Sequence, residues 1–294
     1  MQKIVPHLWF DQEALEAAEW YVSLFENSKI IDITTISDTP SGDAQLVDFT
    51  LANFRFSAIS AGPYFTFNPA ISLMIACSTR EEVDRLHANL SEGGIELMEI
   101  GEYPFSERYA WVQDRYGLSW QLLLVENIDE HQRIRPTLLF AGAACGRADE
   151  AINYYESVFD HTKKGYINYY AREEATDARA RINYAELDIR GVQLIAMDHG
   201  MGGDFTFNEA FSFMVLCDDQ EEIDYYWDKL SFVPEAEQCG WVKDQFGLSW
   251  QIVPSNMNDI LMKGSKEEVK RVTEVFLQMK KFDLEMLEKA RFRK

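Results

Sequence analysis

Five histidines are available for metal or acid–base chemistry, His7, His87, His131, His161 and His199, and none stands in an HxH or HExxH arrangement. Four cysteines, Cys77, Cys145, Cys217 and Cys239, form no CxxC pair. They read as buried thiols in a reducing compartment, not as a zinc ribbon or a disulfide framework. There is no GxSxG elbow and no GxxxxGK[ST] phosphate loop. One glycine cluster, Asp198-His199-Gly200-Met201-Gly202-Gly203, follows the apolar run Val192–Met197 and has the acidic-x-Gly-x-Gly form of a turn that holds S-adenosylmethionine. Such a turn should open a helix, yet Phe205-Thr206-Phe207-Asn208 leads toward a strand, so methyl transfer is disfavoured. What remains is a set of rings. Phe65 and Phe67 share strand parity, as do Phe205 and Phe207, so each pair would present two rings to one face. Trp9 and Trp111, with Trp241 further on, would add to them, and ordinary core packing is the competing reading of all these aromatics.

The candidates come in pairs because the chain is written twice. Trp111-Val112-Gln113-Asp114-Arg115-Tyr116-Gly117-Leu118-Ser119-Trp120-Gln121 recurs as Trp241-Val242-Lys243-Asp244-Gln245-Phe246-Gly247-Leu248-Ser249-Trp250-Gln251, identical at 8 of 11 positions. Phe65-Thr66-Phe67-Asn68 returns intact as Phe205-Thr206-Phe207-Asn208, and Cys77 as Cys217. A repeat this long gives each copy a domain of its own: residues 1–130, then 131–263, with the boundary near Glu130–Arg135 and a tail at 264–294. Within copy one, Lys3–Phe10 reads as a strand, Glu13–Phe25 as a helix, and Ile30–Ile36, Gln45–Leu51 and Phe54–Ser60 as three more strands. The order then restarts at Ile71–Cys77, with a helix capped by Ser78-Thr79, then strands at Ile95–Ile100, Tyr109–Gln113 and Ser119–Val125. Each copy is thus two βαβββ units. Copy two has ten residues, Ser231–Gly240, where copy one has twenty, so about one strand is shortened there. Trp120 and Trp250 alternate with their glutamine neighbours and should point to the helix layer.

In the tail, Val269, Val272, Val275, Phe276 and Met279 fall on one helical face within Lys266–Lys281, and Leu284, Met286 and Leu287 continue in a second short helix. With nine basic and six acidic side chains, the tail should dock on a body that is otherwise strongly acidic. The whole chain, 28 Lys and Arg against 49 Asp and Glu, carries a net charge of −21, which disfavours nucleic acid and acidic membrane surfaces as partners. No run reaches the length of a membrane span and the N-terminus lacks an apolar leader, so a soluble, cytoplasmic protein is expected.

Four tandem βαβββ units resemble the vicinal oxygen chelate superfamily, which includes glyoxalase I, extradiol dioxygenases and bleomycin-resistance proteins. Trp9-Phe10-Asp11, the two Phe-Thr-Phe-Asn stretches, Glu81-Glu82-Val83-Asp84 and Trp241 to Gln251 are similar to its PhnB-like branch, often labelled as a demethylubiquinone methyltransferase. The resemblance covers nearly the whole chain. It implies an α+β fold of tandem modules, each a pair of βαβββ units forming a cupped mixed sheet, plus C-terminal helices. It also implies where a metal would bind, and there the sequence departs from the pattern. The last-strand glutamate of metal-dependent members is replaced by Gln121 and Gln251, and Ala70 and Ala210 fall where an imidazole is needed. The first-strand ligand falls near Val5 or His7 in copy one and near Arg135 or Thr137 in copy two. No metal and no cofactor are therefore expected. Gln121 and Gln251 are either amides satisfied inside the barrel or ligand contacts. The expected function is metal-free binding of a small apolar or aromatic molecule by His7, Trp9, Phe65, Phe67, Trp111, Gln121, Phe205, Phe207, Trp241 and Gln251. An enzyme of lyase, isomerase or oxidoreductase type using the same cup is the alternative. The two copies should pack as an intramolecular pseudo-dimer, with a homodimer as a further option.

Overall fold

The computed structural model describes residues 2–39, 42–128, 132–171 and 173–292. The expected boundary near Glu130–Arg135 falls partly outside them, as does His131. Copy one runs β1 (Ile4–Phe10), α1 (Ala14–Leu24), β2 (Lys29–Thr39), β3 (Gly42–Leu51), β4 (Phe54–Ser60), then β5 (Ile71–Cys77), α2 (Arg80–Leu90), β6 (Ile95–Tyr103), β7 (Ser106–Gln113) and β8 (Ser119–Leu124). Copy two runs β9 (Ile134–Phe140), α3 (Ala148–Val158), β10 (Lys163–Tyr169), β11 (Ile182–Ile189), β12 (Val192–Asp198), then β13 (Phe211–Cys217), α4 (Gln220–Leu230), β14 (Trp241–Lys243) and β15 (Ser249–Pro254). Three short helices follow: α5 (Met257–Met262), α6 (Lys266–Phe276) and α7 (Leu284–Phe292). No helix among the described residues is long and apolar enough to cross a membrane.

The strands form two mixed sheets. Sheet I has the order β14-β15-β13-β1-β4-β3-β2 and sheet II the order β10-β11-β12-β9-β5-β8-β7-β6. The α+β class of tandem βαβββ units therefore stands, but the units pair crosswise. Sheet I joins the first unit of copy one to the second unit of copy two through the antiparallel pair β1–β13, and sheet II joins the remaining units through β5–β9. Where copy two is trimmed, β14 has only three residues and the counterpart of β6 is a 3-10 turn at Pro234–Ala236.

The buried residues nevertheless form one continuous core through both copies, and the repeated motif builds a matching part of it in each. The fully buried Trp120 packs on Tyr21 and Phe25 of copy one, and Trp250 on Tyr155 and Phe159 of copy two. Tyr21 Oη and Trp120 Nε1 both donate to Asp114 Oδ2, at 2.7 and 2.8 Å, while the backbone N–H groups of Tyr116 and Leu118 donate to Oδ1 at 2.8 and 3.1 Å. Asp244 repeats the arrangement with Tyr155, Trp250, Phe246 and Leu248. The turn that closes around each carboxylate needs a left-handed residue, supplied by Gly117 (φ 86°) and Gly247 (φ 88°).

The two Phe-Thr-Phe-Asn stretches are loops, a correction to the strand parity expected of them. Pro63 and Pro69 remove ladder donors around the first, and Gly202 and Gly203 bend the chain ahead of the second. They clasp each other instead: Asn68 Nδ2 donates to the Thr206 carbonyl at 3.0 Å and Asn208 Nδ2 to the Thr66 carbonyl at 2.9 Å.

The tail docks as its apolar stripe requires, with Val272, Phe276, Met279 and Leu287 buried. It takes over the edge left by the trimmed strand: the N–H groups of Cys239 and Gly240 donate to the carbonyls of Met279 and Lys280, and Phe282 lies so close to Gly240 that a Cβ there would sit 2.5 Å from its ring. Helix α5, which the sequence pattern does not announce, brings Asn258 to 3.5 Å from Asp32 on β2.

Candidate functional site

Both sheets turn one face to α1–α4, α5 reaches Asp32 on the opposite face of sheet I, and the register fixes what these opposite faces carry. On sheet I, His7 of β1 stands opposite Ser212 of β13 on one side and Ser57 of β4 on the other. Gln251 of β15 reaches over to donate from Nε2 to Ser212 Oγ at 3.0 Å, and Trp241 of β14 lies beside Gln251. The Trp241 ring meets His7 edge-on at 5.5 Å and Trp9 at 5.9 Å, and Trp9 in turn meets Phe65 at 5.2 Å. Trp9 is held by its own Nε1–H, which donates to the Gly62 carbonyl at 2.8 Å. Next to Ser57, Arg55 and Asp48 form an ion pair of 2.7 Å.

Three polar atoms in this cup have no partner among the described residues: Arg55 Nε, and His7 Nδ1 and Ser57 Oγ, the last two on residues exposed by only 2% and 1%. Leaving such groups unpaired costs about 1–3 kcal/mol each, so their juxtaposition on neighbouring strands calls for an explanation. Burial without a countercharge lowers the His7 pKa to about 3, so the imidazole is neutral at physiological pH. It offers one N–H and one lone pair.

On the free face of sheet II, Gln121 of β8 donates from Nε2 to Ser72 Oγ at 2.7 Å and accepts from Tyr109 Oη at 2.8 Å. Trp111 Nε1 donates to Ser119 Oγ at 2.8 Å. Thr137 and Arg135 of β9 stand opposite Ser72 and Met74 of β5. Burial pushes the Tyr109 hydroxyl well above its usual range, so it stays a donor.

The ten residues singled out in the sequence are therefore divided. His7, Trp9, Phe65, Trp241 and Gln251 gather in the cup of sheet I, and Trp111 and Gln121 lie in that of sheet II. His7 and Gln121, taken from sequence as one copy's pair, lie on different sheets because each cup is built from both copies. Phe67 packs on Phe10 at 5.2 Å and Phe207 on Phe140 at 5.0 Å, both with the core, while Phe205 meets His199 at 5.3 Å. The residues facing the glutamines are Ser72 and Ser212, two places beyond Ala70 and Ala210. Their recurrence at matching places in the two copies was the signal that could have found them. Ser57 and Arg55 have no equivalent signal, since Ile195 and Gln193 stand at the matching places in copy two, whereas Asp48 is matched by Glu186.

The residues present do not fit a divalent metal. In the cup of sheet I one imidazole faces two hydroxyls and an amide, the carboxylate on that face, Asp48, is already paired with Arg55, and no group of three His, Cys, Asp or Glu converges among the described residues. The glycine cluster does not fit S-adenosylmethionine either. Asp198 is buried and accepts four backbone N–H bonds, from Gly146 and Ala148 on Oδ1 and from Arg181 and Ile182 on Oδ2, which leaves its oxygens occupied. The cluster leads into β13, not a helix.

Against known proteins, the family model described as 3-demethylubiquinone-9 3-methyltransferase matches twice, over residues 2–123 and 132–253. A putative 3-demethylubiquinone-9 3-methyltransferase, PhnB protein, from Bacillus cereus is 39% identical over 42% of this chain and all of its own, with a TM-score of 0.40. Glyoxalase I from Zea mays is 14% identical, covers 86% of this chain and 94% of its own, and superposes with a TM-score of 0.52, a likeness of fold. No curated protein matches the chain.

Proposed function

The chain belongs to the 3-demethylubiquinone-9 3-methyltransferase-like (PhnB) family, and we propose that it binds a small, uncharged, ring-bearing molecule in the cup of sheet I without a metal. The observation that carries this reading is the buried pair His7 Nδ1 and Ser57 Oγ, unpartnered and side by side beneath the edges of Trp9 and Trp241. A ligand with a carbonyl or hydroxyl on a flat ring would satisfy both atoms while its faces meet the indoles. The quinone ring in the family's description has that chemistry. With its pKa held near 3, His7 is a poor proton acceptor, so hydrogen bonding is favoured over proton abstraction and a binding protein over an enzyme.

Duroquinone, which lacks a free ring position for thiol attack, is a suitable probe. Saturable quenching of tryptophan fluorescence is expected. His7→Leu should weaken it about fivefold through one lost hydrogen bond, and Trp241→Ala more. Absence of saturable binding, or binding indifferent to both substitutions, would refute the reading.

A further inference from the structure

We propose that the cup of sheet II is a second binding site, one that takes an aromatic carboxylate with Arg135 as its cation. It does not depend on sheet I being occupied. β9 lies fourth among the eight strands of sheet II, and Arg135 projects from it onto the free face, in line with Met74, Gln121 and Trp111 on the successive strands β5, β8 and β7. Its side chain is only 16% exposed, and Nε is buried without a partner among the described residues. Its ion pair with Glu186 is long, Nη1 to Oε1 at 3.3 Å.

Glu186 is also shared out. Oε1 accepts from Tyr184 Oη at 3.2 Å, and Oε2 accepts from the Tyr166 backbone N–H at 3.3 Å. The guanidinium bonds Glu186 and the Tyr184 hydroxyl, and its Nε–H is left over from a capacity of five donors. Arg133 is closed on Glu82 at 2.6 Å, and Arg55, in the other cup, holds Asp48 at a short 2.7 Å, although its Nε too is buried without a partner among the described residues. Copy one has Val5 where copy two has Arg135, so the floor of one cup carries a charge at a place the other fills with an apolar side chain. Sinking an under-bonded cation into a sheet face costs stability, and a planar carboxylate offers the two-point partner that would complete it. The rings of Tyr166 and Tyr184, 6.3 Å apart, stand on the Glu186 side to receive an aromatic body. In a chain of net charge −21 the general field repels anions, so an anion that binds does so for a local reason.

The test is calorimetric titration of the full chain with 2-naphthoate and with 2-naphthamide, equal in ring and size but not in charge. The acid is expected to bind about tenfold tighter or more. Arg135→Gln should abolish that preference. Glu186→Gln, whose oxygen can still accept from the Tyr166 N–H while its amide N–H faces the Tyr184 hydroxyl, itself able to accept, removes the competing charge and should strengthen naphthoate binding severalfold, an effect that misfolding cannot imitate. Duroquinone should not displace naphthoate. Equal affinity for acid and amide, naphthoate binding unchanged by Arg135→Gln, weaker binding in Glu186→Gln, or displacement by duroquinone would each overturn the proposal. If duroquinone fails to bind while naphthoate binds, only the reading of sheet I falls.

Discussion

His7 should make the fold sensitive to mild acid in a way that one substitution removes. The imidazole has an ordinary pKa of 6.5 when the chain is unfolded and about 3 when it is buried in the cup. Because the folded value is depressed, the unfolded state binds more protons between these two values, and stability falls as pH drops through that window. Between pH 7.5 and pH 5 the loss is set by the 1.5-unit distance from pH 5 to the unfolded pKa, about 2 kcal/mol. Any folded pKa below about 4 gives nearly the same figure, so the magnitude rests on burial alone. His7→Leu fills a similar volume, cannot titrate and removes the unpartnered Nδ1. Urea unfolding at the two pH values should therefore show the wild type losing about 2 kcal/mol more than the variant. At pH 7.5 the variant should be equal or slightly more stable, while duroquinone binding is weakened. That opposition of stability and binding marks a residue kept for a ligand. A parallel loss in both proteins, or an NMR titration placing the folded His7 near 6.5, would refute the reasoning.

Three further outcomes follow from the same structure. Asp244→Asn replaces one acceptor oxygen with an amide donor facing either Tyr155 Oη and Trp250 Nε1 together or the backbone N–H groups of Phe246 and Leu248, and should cost about 2–4 kcal/mol in urea unfolding; an unchanged midpoint would mean that the carboxylate does not hold the turn. Phe282→Ala should cost about 3–5 kcal/mol, because the ring is 1% exposed, stacks on Phe276 at 5.5 Å and seals Gly240, whereas an independent appendage would leave the body's melting temperature unmoved. Protein purified without chelator should hold no stoichiometric zinc, nickel, manganese or iron by elemental analysis, and one equivalent per chain would contradict the donor set of sheet I.

How far the fold can be read from the sequence depends on the range of the signal. Alternation along a strand is local, and it placed Trp120 and Trp250 on the helix side and their neighbours Gln121 and Gln251 on the opposite face. Capping is local too, and Thr79 and Asp219 each accept the backbone N–H three residues on. Pairing between strands is not local: β1 and β5 both present an apolar edge, and nothing in their own residues says which copy supplies the partner. That gap divided the candidate site, since His7 and Gln121 could be assigned to one cup only by assuming that a copy closes on itself. Asp114 and Asp244 stand in plain view within the repeated motif, yet an aspartate before a glycine reads as a turn former. The contact of Asp114 with a tyrosine 93 residues away is a property of the packed core.

Crosswise pairing gives the last prediction. If residues 1–128 are produced alone, they keep copy one's part of the core around Tyr21, Phe25, Trp120 and Asp114, so the fragment should fold. It then exposes two strand edges that the full chain pairs, that of β1, which meets β13, and that of β5, which meets β9. Unpaired edges of apolar strands seek partners. In the repeat β13 is the counterpart of β5 and β9 the counterpart of β1, so a second copy of the fragment offers the right strand at the right register on both edges. The isolated copy should therefore dimerise with twofold symmetry and rebuild two identical cups, each with His7 and Gln121 on one sheet, as in neither cup of the full chain. Sedimentation should show a dimer that dissociates on dilution. A Pro substitution at Met74, in the middle of β5, should push it toward monomer or aggregate, since alternate residues of β5 turn their N–H groups to this edge, as Ala76 does to the Arg133 carbonyl, and a proline there removes a ladder donor. A well-folded monomer at high concentration would mean that the crosswise edges hold little of the fold, and the cups would then have to be reconsidered as products of the tether and not of the strands.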